Sequence, residues 1–179
     1  MRGERHPAVE RVRAALQGAG HAAQIRWLAD SARTAAAAAA ALDIEVGQIA
    51  SSLVFTRPAA AVSGSATWPV LVITSGRHRV DTARVAALLG VPELGRADAD
   101  FVRQWSGFAI GGVAPVGWLA DTAATGHEAA PPALQVIVDE ALGEHEQVWA
   151  AAGHPHTVFA TSLPALVAMT GGLVARVGD

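Results

Sequence analysis

Apolar side chains recur at helical spacing at Val9, Val12, Ala15 and Leu16, predicting a first helix from Pro7 that stops before Gly18 and Gly20. A short strand is predicted over 21–28. Ser31 then N-caps an alanine-rich helix running through Leu42, since Ala loses no side-chain entropy in a helix. The apolar run 49–55, a turn containing Pro58, Ser63, Gly64 and Ser65, and the buried run 70–74 together predict a β-hairpin.

Asp81 caps a helix ending at Leu89, before Gly90 and Pro92, and Asp98 caps another that reaches Trp105 and ends at Gly107. Residues 110–117 carry too much glycine for a regular helix or a central strand. After a loose stretch ending at Pro132, a strand over 134–138 delivers Asp139 at its end. Runs 148–151 and 157–160 form a strand pair across Gly153, His154 and Pro155. Ser162 caps a last helix with Pro164 in its first turn and Gly171 at its stop, and 173–177 closes as a strand. Helices and strands intersperse without strict βαβ alternation, which predicts an α+β fold with a mixed or antiparallel sheet. No repeat or long linker divides the chain, so residues 1–179 are expected to form a single domain.

Composition narrows the chemistry. At 51% hydrophobic and 16% charged residues, the chain can bury a core and is not disordered. Cys and Tyr are both 0, which removes disulfides, thiolate nucleophiles and Cys-held zinc or iron–sulfur sites. All 13 basic residues are Arg, so Schiff-base, P-loop and lysine-base mechanisms are excluded. The net charge of -3 hides an asymmetry: residues 1–33 carry +3, and residues 118–179 carry -6. A basic N-terminal third and the cluster Arg77, His78 and Arg79 could face phosphate, or be scattered solvated charge. Residues 1–7 lack the apolar region of a signal peptide, and the run 35–41 is too short to span a bilayer, so a cytoplasmic protein without membrane association is expected.

Several residues suggest chemistry. Gly111, Gly112, Val113, Ala114 and Pro115 form a segment whose glycines allow close backbone approach to a ligand and whose proline fixes the exit. It suits an ester carbonyl or its developing oxyanion, and equally a tight turn without ligand. His154 and His156, with Glu144, His145 and Glu146, raise a metal site, but Pro155 and the spacing fit no ligand pair and no HExxH motif; turn histidines and no metal are expected. Asp139 at a strand end could bind an ammonium group or order a water, or cap the turn at Glu140, Ala141 and Leu142. Ser51 and Ser52 have no adjacent base and no G-x-S-x-G elbow, so they read as small residues beneath a ligand or a helix. The five tryptophans read as core or pocket wall.

The ordered set of segments resembles the YbaK family, aminoacyl-tRNA deacylases related to the editing domain of prolyl-tRNA synthetase. The resemblance runs through Ile49-Ala50-Ser51-Ser52-Leu53-Val54-Phe55, Thr74-Ser75-Gly76-Arg77-His78-Arg79-Val80-Asp81 and Ala97-Asp98-Ala99-Asp100-Phe101-Val102. It continues through residues 107–117, Val138-Asp139-Glu140-Ala141-Leu142, residues 148–153 and Leu166-Val167-Ala168-Met169-Thr170-Gly171. It implies an α+β domain on a mixed, barrel-like sheet flanked by helices. It also implies hydrolysis of the ester between a wrong amino acid and the terminal ribose of tRNA, without metal or other cofactor. The family's G-x-x-x-P loop, here Gly111 to Pro115, shapes the amino-acid pocket and contacts the aminoacyl carbonyl, and a ribose hydroxyl of the substrate helps activate water. One departure stands out: the lysine that editing members carry is Ser51 here.

The resulting expectation is a trans-editing deacylase acting in translation fidelity. Gly111, Gly112 and Asp139 are its catalytic candidates. Ser51, Ser52, Val113, Pro115, Arg77, His78, Arg79 and His154 are its substrate-binding candidates. Its partners are mischarged aminoacyl-tRNA and a possible aminoacyl-tRNA synthetase, and it is a monomer or homodimer. The alternative is a non-catalytic module that binds aminoacyl-tRNA, an aminoacyl adenylate or a synthetase.

Overall fold

Val70, Leu71, Val72 and Ile73 are each 0% exposed, which requires a covering layer on both faces of the strand that carries them. A computed structural model describes residues 6–30, 32–59, 67–119 and 132–179 and supplies both layers. Leu71 and Ile73 pack with Val12 and Leu16 of helix α1 (Pro7–Gly18), Val102 of α4 (Ala99–Ser106) and Leu166 of α5 (Leu163–Thr170). Val70 and Val72 point the other way, against Val85 of α3 (Thr82–Leu89), Ile137 and Val177. A smaller cluster joins Ala38 and Ala39 of α2 (Ala35–Leu42) to Ile49, Trp149 and Val158.

These helices cover a mixed sheet of β1 (Ile25–Trp27), β2 (Ile49–Pro58), β3 (Thr67–Ser75), β4 (Gly95–Arg96), β5 (Gln135–Asp139), β6 (Val148–Ala151), β7 (Thr157–Thr161) and β8 (Leu173–Ala175). The strand order is β1-β7-β6-β2-β3-β5-β8, with β4 on β2. β2 and β3 form the expected antiparallel hairpin, in register from Ala50↔Ser75 to Pro58↔Thr67. β3–β5, β5–β8 and β2–β6 are parallel. The architecture is single-domain α+β, as the irregular order of elements implied.

Local chemistry sets the helix limits. Asp81, Asp98 and Ser162 accept from Arg84 N, Phe101 N and Ala165 N, and each such cap stabilises by about 0.5–2 kcal/mol. Gly90, Gly107 and Gly171 end the same helices in the left-handed region. The alanine helix starts later than expected: Thr34 caps it, accepting from Ala37 N at 3.1 Å. Ser31, the turn residues Ser63, Gly64 and Ser65, and residues 120–131 lie outside the described residues. β1 is shorter than 21–28 because His21 belongs to the end of α1, its N–H donating to Leu16 O. β8 stops at Ala175, after which Val177 O accepts from Asp81 N and Val80 bridges Gly178.

Candidate active site

β2 is bonded along its length to β3, but its other edge is not covered throughout. β6 pairs with it at Ile49 and Ala50, and β4 pairs with it at Phe55 and Thr56. Between them no described strand pairs with residues 51–54. Gly76 N donates to Ile49 O, so the main-chain polar groups of odd-numbered residues face β3. Those of Ser52 and Val54 therefore face the opening. Two N–H donors and two C=O acceptors are held on a rigid strand with no ladder partner.

That opening is the inner edge of a cavity of about 430 Å³, within the range of small-molecule sites. Its walls are apolar, with Ala38, Ile49, Val102, Val113, Trp149 and Val158 among them. Thr34, Ser51, Ser52 and Thr157 add hydroxyl-bearing residues, and Arg33 and Arg96 are the charged residues of the lining. Among the described residues no Asp, Glu or His lines it. The Ser52 hydroxyl is buried with no hydrogen-bond partner among the described residues.

The glycine segment forms another wall. Gly111 has φ +89°, and a Cβ placed there would stand 3.6 Å from Cα and Cγ of Arg33. Gly112 is buried, donating its N–H to Ala109 O at 2.9 Å. A Cβ there would stand 2.8 Å from both Cα and C of His154, which are backbone atoms that cannot swing aside. Trp118 Nε1 donates to Ala114 O at 2.8 Å and pins the segment from the far side. Gly111 and Val113 line the cavity, while Gly112 and the buried Pro115 hold the segment's shape without lining it. His154 likewise supports the segment through its backbone and is not part of the lining.

Asp139 is elsewhere. It lines a second depression, of about 490 Å³, with Arg77, His78, Glu144 and Asp179. Its carboxylate is 0% exposed and fully engaged. Oδ1 accepts from Ala141 N at 3.1 Å, and Oδ2 accepts from Ser75 N at 3.0 Å and Thr74 Oγ1 at 3.2 Å and lies 2.9 Å from His78 Nδ1. The carboxylate caps the turn Glu140–Glu144, one of the readings open in the sequence. Arg77 donates to Glu144 Oε1 at 2.6 Å, and that bond raises the guanidinium pKa and lowers the Glu144 carboxyl. Arg79 is exposed and lines neither depression. Arg77, His78, Arg79 and Asp139 are thus not brought to the glycine segment.

Arg33, Thr34 and Arg96 were missed by sequence reasoning, whereas Trp149 stands in the cavity wall, as the core or pocket-wall reading of the tryptophans expects. Arg96 belongs to a two-residue strand with no alternation to reveal it, and Arg33 precedes a helix whose start was set too early. Among the described residues no group of three His, Asp or Glu is placed to hold a metal ion, and no helix is long and apolar enough to cross a membrane.

The family model of the aminoacyl-tRNA editing domain matches residues 29–169, a span containing every residue that lines the cavity. The chain belongs to the aminoacyl-tRNA editing domain family. Solved structures agree along nearly the whole length of this editing domain. A candidate trans-editing enzyme for prolyl tRNA synthetase is 36% identical with a TM-score of 0.79, covering 97% of this chain and 98% of its own. A scaffold used for grafting linear epitopes is 34% identical, also with a TM-score of 0.79 and the same coverage. The hypothetical protein APE2540 is 25% identical with a TM-score of 0.76, covering 94% of this chain and 99% of its own. No curated protein matched the sequence. The YbaK-type resemblance read from the ordered segments is the family these comparisons return.

Proposed function

We propose that this editing domain is a metal-free deacylase of mischarged aminoacyl-tRNA, acting in trans in the cytoplasm with residues 1–179 as one unit. Water adds to the carbonyl carbon of the ester, the ester C–O bond breaks, and the free amino acid and the ribose hydroxyl of the tRNA depart. The observation that carries this reading is the open edge of β2 facing the cavity beside the Gly111 wall. An aminoacyl ester presents an ammonium group and a carbonyl close together, and an unpaired strand edge offers acceptors and donors at matching spacing. The carbonyl oxygens of Ser52 and Val54 take the ammonium, and main-chain N–H groups polarise the ester carbonyl. One well-placed donor to a developing oxyanion contributes about 2.7–4 kcal/mol. Fixing the water and ester together contributes several more, about 7 kcal/mol in favourable cases.

Among the described residues the lining holds no carboxylate or imidazole to serve as base. The proton of the attacking water accordingly leaves through the substrate, by way of the vicinal hydroxyl of the terminal ribose to the departing ribose oxygen. Asp139 acts at a distance, by holding the ends of β3 and β5 together.

Removing that vicinal hydroxyl tests the route. A mischarged tRNA ending in a 2′- or 3′-deoxyadenosine is expected to resist hydrolysis while still binding. Hydrolysis at the ordinary rate would assign the proton to a protein group.

Ser51 favours a second reading. It stands where editing members carry lysine, which supports a module that binds aminoacyl-tRNA, an adenylate or a synthetase without turnover. Under that reading, retention of the ester is expected in the presence of stoichiometric protein.

A further inference from the structure

The cavity's electrostatics are one-sided. Arg33 and Arg96 both line it, both are exposed, and no acidic residue among the described residues shares the lining. Neither guanidinium has an ion pair among the described residues, whereas Arg13, Arg77, Arg84 and Arg176 are each paired to a carboxylate. The two occupy different walls. Arg33 packs against Gly111, and Arg96 lies across from Phe55, where β4 closes the open edge of β2. Nearby, Arg26 stacks on Trp149, a cavity wall, with its guanidinium carbon 5.2 Å from the ring centroid. An exposed, unpaired guanidinium retains its full attraction for an anion and its planar fork for phosphate oxygens.

We infer that Arg33 and Arg96 form the phosphate-binding rim of the cavity, taking phosphodiester groups of a single-stranded 3′ end whose terminal acyl-ribose lies within. This inference rests on the proposed deacylase reading for the identity of the chain end, and on the two arginines alone for the anion. It transfers the phosphate role from Arg77 and Arg79, the first of which is committed to Glu144. It also gives the cavity a way to prefer an ester carried on nucleic acid over a free ester. The acyl group alone reaches only the apolar walls and the strand edge.

The test uses a single-stranded RNA oligonucleotide ending in CCA, unacylated, titrated against the full chain over a series of salt concentrations. Each phosphate contact to a single strand contributes about 0.7 to the slope of log K against log salt. Arg33→Gln and Arg96→Gln are each expected to reduce that slope by about 0.7, and the double variant by about 1.4. Arg84→Gln, whose partner is Asp81, is expected to keep the wild-type slope. Equal slopes in wild type and double variant, or no binding of the oligonucleotide by wild type at low salt, would overturn the inference. Hydrolysis separates the two readings. If the double variant loses activity on aminoacyl-tRNA but keeps it on aminoacyl-adenosine, the rim and the deacylase reading both stand. An unchanged ratio between those substrates overturns the rim and leaves the deacylase. Absence of hydrolysis with a lowered salt slope overturns the deacylase and leaves the rim.

Discussion

Ser51 stands directly across the β2–β3 ladder from Thr74, and the Thr74 hydroxyl donates to Asp139 Oδ2 at 3.2 Å. The cavity wall and the buried carboxylate are therefore coupled through one threonine, although they face different depressions. Opposed residues of an antiparallel pair share a face of the sheet, so Ser51 and Thr74 are neighbours on one face.

Asp139→Ala is accordingly expected to act on stability first. It would strand the buried main-chain donors of Ser75 and Ala141, and take one partner from the Thr74 hydroxyl and from the His78 ring. Each unsatisfied buried group costs about 1–3 kcal/mol, so a loss of more than about 3 kcal/mol is expected in urea unfolding. At a temperature where the variant stays folded, KM for aminoacyl-tRNA should remain near the wild-type value. A large rise in KM with unchanged stability would put Asp139 against the substrate.

Gly112→Ala forces a Cβ to 2.8 Å from two His154 backbone carbons, so the segment must shift. Overpacking of this kind costs about 1–3 kcal/mol, and the displaced Gly111 and Val113 should lower kcat by more than tenfold. Gly18→Ala is the control. Nothing lies within 4 Å of its Cβ position at the end of α1, and replacement there should leave activity unchanged. Parallel measurement of thermal unfolding and single-turnover hydrolysis checks both.

Much of this site was legible in the chain. Asp81, Asp98 and Ser162, each followed by apolar periodicity and a terminal glycine, marked three helices correctly, because caps and stops are local chemistry. The hairpin and the glycine segment were visible for the same reason. The open edge of β2 was not. It depends on β4, whose two residues carry no pattern, and on the parallel pairing of β6, which begins almost a hundred positions later. Asp139 was identified as a strand-end carboxylate, but sequence does not tell which end of the sheet a strand end shares with a loop.

Ser51→Lys examines the family departure. With Arg33 and Arg96 supplying positive charge at the rim, an added ammonium is expected to raise kcat/KM on aminoacyl-tRNA by less than about tenfold, or 1.4 kcal/mol. A gain of a hundredfold or more would mark a site that had lost its essential cation.

The Arg77–Glu144 bond gives a pH signature. Hydrogen bonding to Arg77 lowers the Glu144 pKa in the folded state, so its contribution to stability is present above the ordinary glutamate range and is lost as pH falls through the depressed value. Both groups are exposed, so the effect is small and screened by salt. Glu144→Gln should unfold at slightly lower temperature than wild type at pH 7 and low salt, with the difference closing in acid. Differential scanning calorimetry across that range reads it, and a difference that widened as pH fell would contradict the sign.

Deacylation by purified, chelator-treated protein tests the central claim most directly. The panel comprises Ala, Ser, Thr and Cys esters on prolyl-tRNA and on their own tRNAs. Turnover of one or a few of these species is the expected result, unaffected by the chelator. No hydrolysis of any ester by folded protein that still binds the acylated tRNA would contradict it, and would leave a module that recognises the acylated end without cleaving it.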